Sequence, residues 1–285
     1  MSGIVFSHGK SLTRIFFRLQ DNVGYPTHLL IVMNLGEFSD LEKFINKTSL
    51  EPKGFFAYTS ILFAATYPSD LYNEDAEDVF KILKPKLSAY TNVNVKYEFL
   101  ESHRRVLLAD SLCDFYDIYS DRLPAMVNEK LKSHKTTHKK KVDADKPSKL
   151  EVEQQKNFIK LLRPIMLGER DAWDVLCKDF LLPQLEPVWD DACKKLGIVE
   201  LKVRETDESP LLKSKPDWAD VVQIMGRYGI ASADAMIVNM FNCSKISLLV
   251  TADLEMARSV IKENRADKYV FVPKSIFEQL QDHDS

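Results

Sequence analysis

The chain lacks several features that usually announce a function. Its 285 residues include only four cysteines: Cys113, Cys177, Cys193 and Cys243. None forms a C-x-x-C pair, and none stands at zinc-ligand spacing from a histidine. The sequence therefore predicts reduced, mostly buried thiols rather than a disulfide scaffold or a zinc ribbon. No apolar segment approaches the ~18 residues that a bilayer-spanning helix needs. The best run, Leu29 to Leu35, is strand-sized. The opening MSGIVFSHGKS holds too short an apolar stretch for a signal peptide. The expectation is a cytoplasmic protein with no membrane partner. A large charge of either sign is also missing: the formal net charge is -3 and the pI about 6.1. Any contact with nucleic acid must then come from a local basic patch. Gly9-Lys10-Ser11 does not complete a phosphate loop, because Ile4 stands where the first glycine belongs. No repeat of fixed period is present, which argues against a solenoid.

What remains is an ordinary globular composition, with 45% hydrophobic and 28% charged residues. Ile4–Phe6 reads as a strand, Ser11–Leu19 as a helix, and Leu29–Met33 as a strand covered on both faces. Phe38–Ile45 reads as a helix with Ser39 at its N-cap and Glu42 completing a capping box. Phe55–Thr59 follows as a strand, and Ser60 is placed to cap a helix over Ile61–Tyr67. Glu74–Leu87 is an amphipathic helix and Val93–Phe99 a strand. Leu100–Leu131 is helical, with Asp110, Asp114, Asp117 and Asp121 forming an acidic stripe of the kind that usually faces solvent. Lys132–Lys149 carries seven lysines against two aspartates and almost no apolar residue. It reads as a flexible, exposed loop. His134 and His138 lie within it. Four residues apart, they would share a metal only from a helix, and the neighbouring Thr136, Thr137 and lysines argue against one.

Helices return over Glu151–Leu167, Asp171–Leu182 and Pro187–Lys195. An α/β rhythm then runs to the end: strands at Ile198–Val203, Ile246–Val250 and Tyr269–Val272, and helices at Trp218–Tyr228, Asp234–Phe241 and Asp253–Glu263. This alternation predicts an α/β fold, a three-layer α/β/α sandwich with a mainly parallel central sheet. The α/β domain is expected over 1–99 and 196–285. Residues 100–195 form a large helical insertion, with the lysine-rich loop at 132–149.

The stretch from Tyr228 to Glu255 carries the most chemistry. Asp234 opens a helix, an apolar strand ends at Thr251, and Asp253 and Glu255 lie just beyond it. Ligands of parallel α/β sheets bind at the carboxyl ends of strands. Grouped carboxylates repel one another unless a cation sits between them. A hard cation such as Mg2+ takes oxygen ligands and lowers the pKa of an attacking water. Each aspartate alone also has a plain structural explanation as a helix N-cap or first-turn acid.

Asp234-Ala235, then Thr251-Ala252-Asp253, then Glu255 resembles the closing motif of the PIN family of metal-dependent nucleases. Tyr58-Thr59-Ser60 is similar to the family's strand-to-helix step. The resemblance implies a ribonuclease that hydrolyses RNA phosphodiester bonds with Mg2+ or Mn2+. Asp234 and Asp253 would be the metal ligands, and Glu255 would complete the catalytic set. Asn34 and the lysines Lys139, Lys140 and Lys141 would bind substrate. The chain departs from the family pattern in two places. The family's first strand ends in an aspartate, whereas Leu29–Met33 runs into Asn34, and the place of the helical glutamate falls at about Thr66. Those departures keep open a second expectation, a catalytically degenerate PIN-like binding or scaffold protein that docks a protein partner through the helical insertion.

Overall fold

The computed structural model describes residues 35–201, 210–263 and 265–282. The expected elements at Ile4–Phe6, Ser11–Leu19 and Leu29–Met33, and Asn34 with them, lie outside the described residues. In chain order the elements are β1 (Leu35–Glu37), α1 (Leu41–Lys47), β2 (Gly54–Ala57), α2 (Thr59–Thr66), α3 (Asn73–Leu83), β3 (Ser88–Asn92), α4 (Val93–Tyr119), α5 (Ala125–Asp143) and α6 (Val152–Leu162). A two-stranded hairpin follows, β4 (Met166–Leu167) and β5 (Arg170–Asp171). Then come α7 (Ala172–Val175), a π-helical turn at Leu176–Leu181, α8 (Leu182–Leu185), α9 (Val188–Leu196) and β6 (Ile198–Leu201). The chain ends with α10 (Trp218–Tyr228), α11 (Ser232–Cys243), β7 (Leu248–Val250), α12 (Leu254–Lys262), β8 (Tyr269–Val272) and α13 (Lys274–Asp282). These elements fall into two compact units. Among the described residues, one comprises 35–61, 74–94, 199–201, 210–263 and 265–282, and the other Leu62–Asn73 and Val95–Ile198.

The first unit is built on a six-stranded parallel sheet in the order β1-β8-β7-β2-β3-β6. In the register Ala57 pairs with Val250, and Val250 with Phe271. Every residue of β2 and β7 is buried, which explains their unbroken apolar sequences: both faces of the sheet are covered. The aromatic contacts give the layers. Phe55 packs on Phe80 of α3 at 5.7 Å between ring centroids, and Phe56 packs on Phe241 of α11 at 5.9 Å. Neighbouring residues of a strand point to opposite faces, so α3 and α11 cover opposite sides of β2. The α/β sandwich predicted from the strand–helix alternation is the fold of this unit.

Close packing at the outer strand β1 depends on a glycine. A Cβ on Gly36 would overlap the ring of Phe271, which is fully buried against Phe44 of α1. Gly36→Ala should therefore cost about 1–3 kcal/mol of stability, the usual penalty for overpacking a filled core. The shift of the denaturation midpoint measures it.

The second unit is helical. Its core gathers Leu108, Leu112 and Phe115 of α4, Leu131 of α5, Leu162 of α6 and Leu176 of the π turn. Four local expectations are corrected. The segment Val93–Phe99 is not a strand: the strand is Ser88–Asn92, and α4 begins directly after it. Ser39 does not cap a helix. Its hydroxyl donates to Glu37, and a 3-10 turn over Phe38–Asp40 leads into α1. Ser60 lies inside α2 rather than before it.

The largest correction is the lysine-rich segment, which is helical in α5 as far as Asp143. Lysine is a good helix former. Val127, Leu131, His134 and His138 follow one another at spacings of four, three and four, a continuous helical stripe. The two histidines extend a stripe that aliphatic residues begin. Counting aliphatic side chains alone hides it.

Candidate functional site

Of the residues singled out in the sequence, Asp234 and Asp253 are tied to the place where β2 and β7 end side by side. The backbone N–H of Tyr58 donates to the Val250 carbonyl at 3.2 Å, which brings the first residue after β2 against the end of β7. Tyr58 is buried, and its phenol donates to a carboxylate oxygen of Asp234 in the first turn of α11. Ser60 joins the next pair of segments. Its hydroxyl lies 3.2 Å from that of Thr251 and accepts from the Ala252 N–H at 2.9 Å. Thr251, fully buried, accepts in turn from the Asp253 N–H at 3.0 Å.

Asp253 is the N-cap of α12 and accepts the Met256 N–H at 2.8 Å. Burial raises its pKa, and the Asp234 and Glu255 charges act in the same direction, against the backbone N–H groups of Met256 and Glu255. Asp234 is thus close enough for its charge to act on Asp253. A divalent cation would relieve that repulsion.

The remaining predicted residues are placed differently. Glu255 is exposed and forms an ion pair with Arg258 one helical turn on, at 2.6 Å. Asn34 lies outside the described residues. Lys139, Lys140 and Lys141 are exposed on α5, in the helical unit, whereas Asp234 and Asp253 belong to the sheet unit. Thr66, where the family pattern puts an acid, donates its hydroxyl to the Leu62 carbonyl at 2.9 Å and lies 3.0 Å from Nε2 of His103.

Tyr58 is the residue that sequence reasoning missed. Its contact with Asp234 spans 176 positions, so no local pattern signals it. What the sequence did offer was a polar Tyr-Thr-Ser step directly after an apolar strand. Among the described residues, no helix is long and apolar enough to cross a membrane. In comparisons with known proteins, no family model, curated protein or solved structure matches the chain.

Proposed function

We propose that the chain is a PIN-like protein that holds RNA without cutting it. The observation that carries this reading is the phenol of Tyr58 on Asp234. Metal-assisted hydrolysis draws on carboxylate oxygens that face the ion and its water, and each bond made elsewhere leaves fewer of them. Here one of the two central acids is engaged by a tyrosine and the other by the N-terminus of its own helix. Glu255, the third, is paired with Arg258. The exposed Lys139, Lys140 and Lys141 on α5 supply the local basic patch that a chain of net charge -3 needs for phosphate contact.

The competing reading, a ribonuclease using Mg2+ or Mn2+ at Asp234 and Asp253, draws support from the Asp234 charge that acts on the buried Asp253. Incubation with Mn2+ and single-stranded RNA separates the two. The expected result is retention of RNA, weakened by roughly a factor of 10 or more when the three lysines become glutamate, with product released no faster than by Asp234→Asn. Cleavage by the wild-type chain that Asp234→Asn abolishes would establish the nuclease instead. Absence of RNA binding would leave the protein-docking form of the degenerate reading.

A further inference from the structure

The helical unit brings together ligating side chains that are scattered in the sequence. Cys113 lies on α4, and His134 and His138 lie one turn apart on α5. A ligand atom from each lies within 4.8 Å of the other two. Cys113 and its histidines are separated by more than twenty positions, which is why zinc-type spacing is not seen along the chain. We propose that Cys113, His134 and His138 form a binding site for a borderline-soft transition metal, Zn2+ in the first instance, which ties α4 to α5. This site is independent of the acids at the sheet edge, and it differs from them in chemistry. One thiolate and two imidazoles suit Zn2+, whereas Mg2+ and Mn2+ prefer oxygen.

The surroundings of the three side chains match what such sites require. His134 Nε2 lies 3.0 Å from the Ala109 carbonyl, which can only accept, so that nitrogen carries the proton and Nδ1 keeps its lone pair. A ligating histidine that donates its other N–H to a backbone carbonyl is the usual arrangement behind a metal. His138 spends Nε2 on the Asp110 carboxylate at 2.8 Å and Nδ1 on the Ser148 hydroxyl at 2.6 Å. Taking an ion exchanges one of these contacts. Asp110 then stands either as a fourth, oxygen ligand or as the acceptor behind the ring.

The Cys113 thiol, which is buried, loses its proton to solvent as the metal–sulfur bond forms. The acidic stripe of α4 thereby acquires an inner member: Asp110 faces His138, while Asp117 pairs with Lys135 of α5.

Co2+ reports on this site because thiolate ligation adds a sulfur-to-metal charge-transfer band in the near ultraviolet. Titration of the full chain should give that band with saturation at one equivalent, and Zn2+ should bleach it. Cys113→Ser should abolish the band and His134→Ala should weaken binding at least as much as Asp110→Asn, itself expected to cost about 10–100-fold. Asp234→Asn and Asp253→Asn should leave both band and affinity unchanged. A wild-type chain that gives no charge-transfer band overturns the proposal without recourse to any variant. So does a band that survives Cys113→Ser, or binding that disappears in Asp253→Asn.

Discussion

Replacing Lys268 with methionine is expected to lower the unfolding free energy by about 2–4 kcal/mol. Lys268 precedes β8 and is buried. Its ammonium donates to the carbonyls of Phe241 at 2.6 Å, Ser244 at 2.8 Å and Ile246 at 2.6 Å, and lies 4.3 Å from the centre of the Phe241 ring. The carbonyls of Phe241 and Ser244 belong to the end of α11; Ser244 also donates to Phe241, and the lysine completes this cap. One side chain thus closes the helix that carries Asp234 and holds the turn leading into β7. Methionine fills similar volume but donates nothing, so the cost isolates the polar closure rather than a cavity.

The same lysine fixes a pH signature. Burial first, then the charge of Lys213, lowers its pKa to about 7 from an ordinary 10.5, with Asp267 opposing. Between those values the unfolded chain binds the extra proton. Unfolding free energy contributed by this group therefore rises as pH increases from about 7 towards 10.5. Chemical denaturation across that range should show the rise in the wild-type chain and a flatter profile in Lys268→Met. Equal slopes in the two proteins would mean that the buried lysine does not titrate there.

Lys268 also shows where sequence reading stops. A lysine beside a strand reads as a solvated residue, because burial of an ammonium depends on acceptors that the fold supplies from elsewhere. The strands Leu248–Val250 and Tyr269–Val272 were legible because a strand covered on both faces must be apolar throughout, and local composition suffices to show it. Helix α10 was legible for a similar reason. Asp217 caps it by accepting the Ala219 N–H, and Gly229, at a φ of +67°, ends it, both local events.

The candidate site was legible in part. Thr251 and Asp253 follow one strand, so their proximity is local. That Asp234 meets Tyr58, and that Ser60 bonds to Ala252 instead of capping its own helix, are consequences of strand order. The cluster of Cys113 with two histidines was hidden for a different reason. It requires α5 to be helical, and most of the lysines that make the segment look like a loop are exposed residues of a helix whose inner stripe ends in histidine.

His103→Phe is expected to remove much of the acid sensitivity of the helical unit. His103 is buried between the rings of Phe63 and Phe99, at 4.9 and 4.5 Å. The Thr66 hydroxyl has a single proton, which it gives to the Leu62 carbonyl, so its oxygen is left to accept from His103 Nε2–H. The ring thus carries a proton on Nε2. Desolvation, aided by the nearby Lys149 charge, lowers its pKa to about 4 from 6.5. The unfolded chain takes up the proton first as pH falls. The stability associated with a neutral His103 is complete above about 6.5 and is lost progressively down to about 4. The loss across that interval is about 3 kcal/mol, at about 1.4 kcal/mol per unit of pH. Phenylalanine keeps an aromatic ring between Phe63 and Phe99 and leaves the Thr66 bond to Leu62 in place, so stability at neutral pH should change by about 1 kcal/mol or less. The difference in unfolding free energy between the two proteins, followed from pH 7 to pH 4, should close and then reverse in favour of the variant. A difference that stays constant with pH would show that His103 binds its proton equally in the folded and unfolded chains, and that the acid response of this unit arises elsewhere.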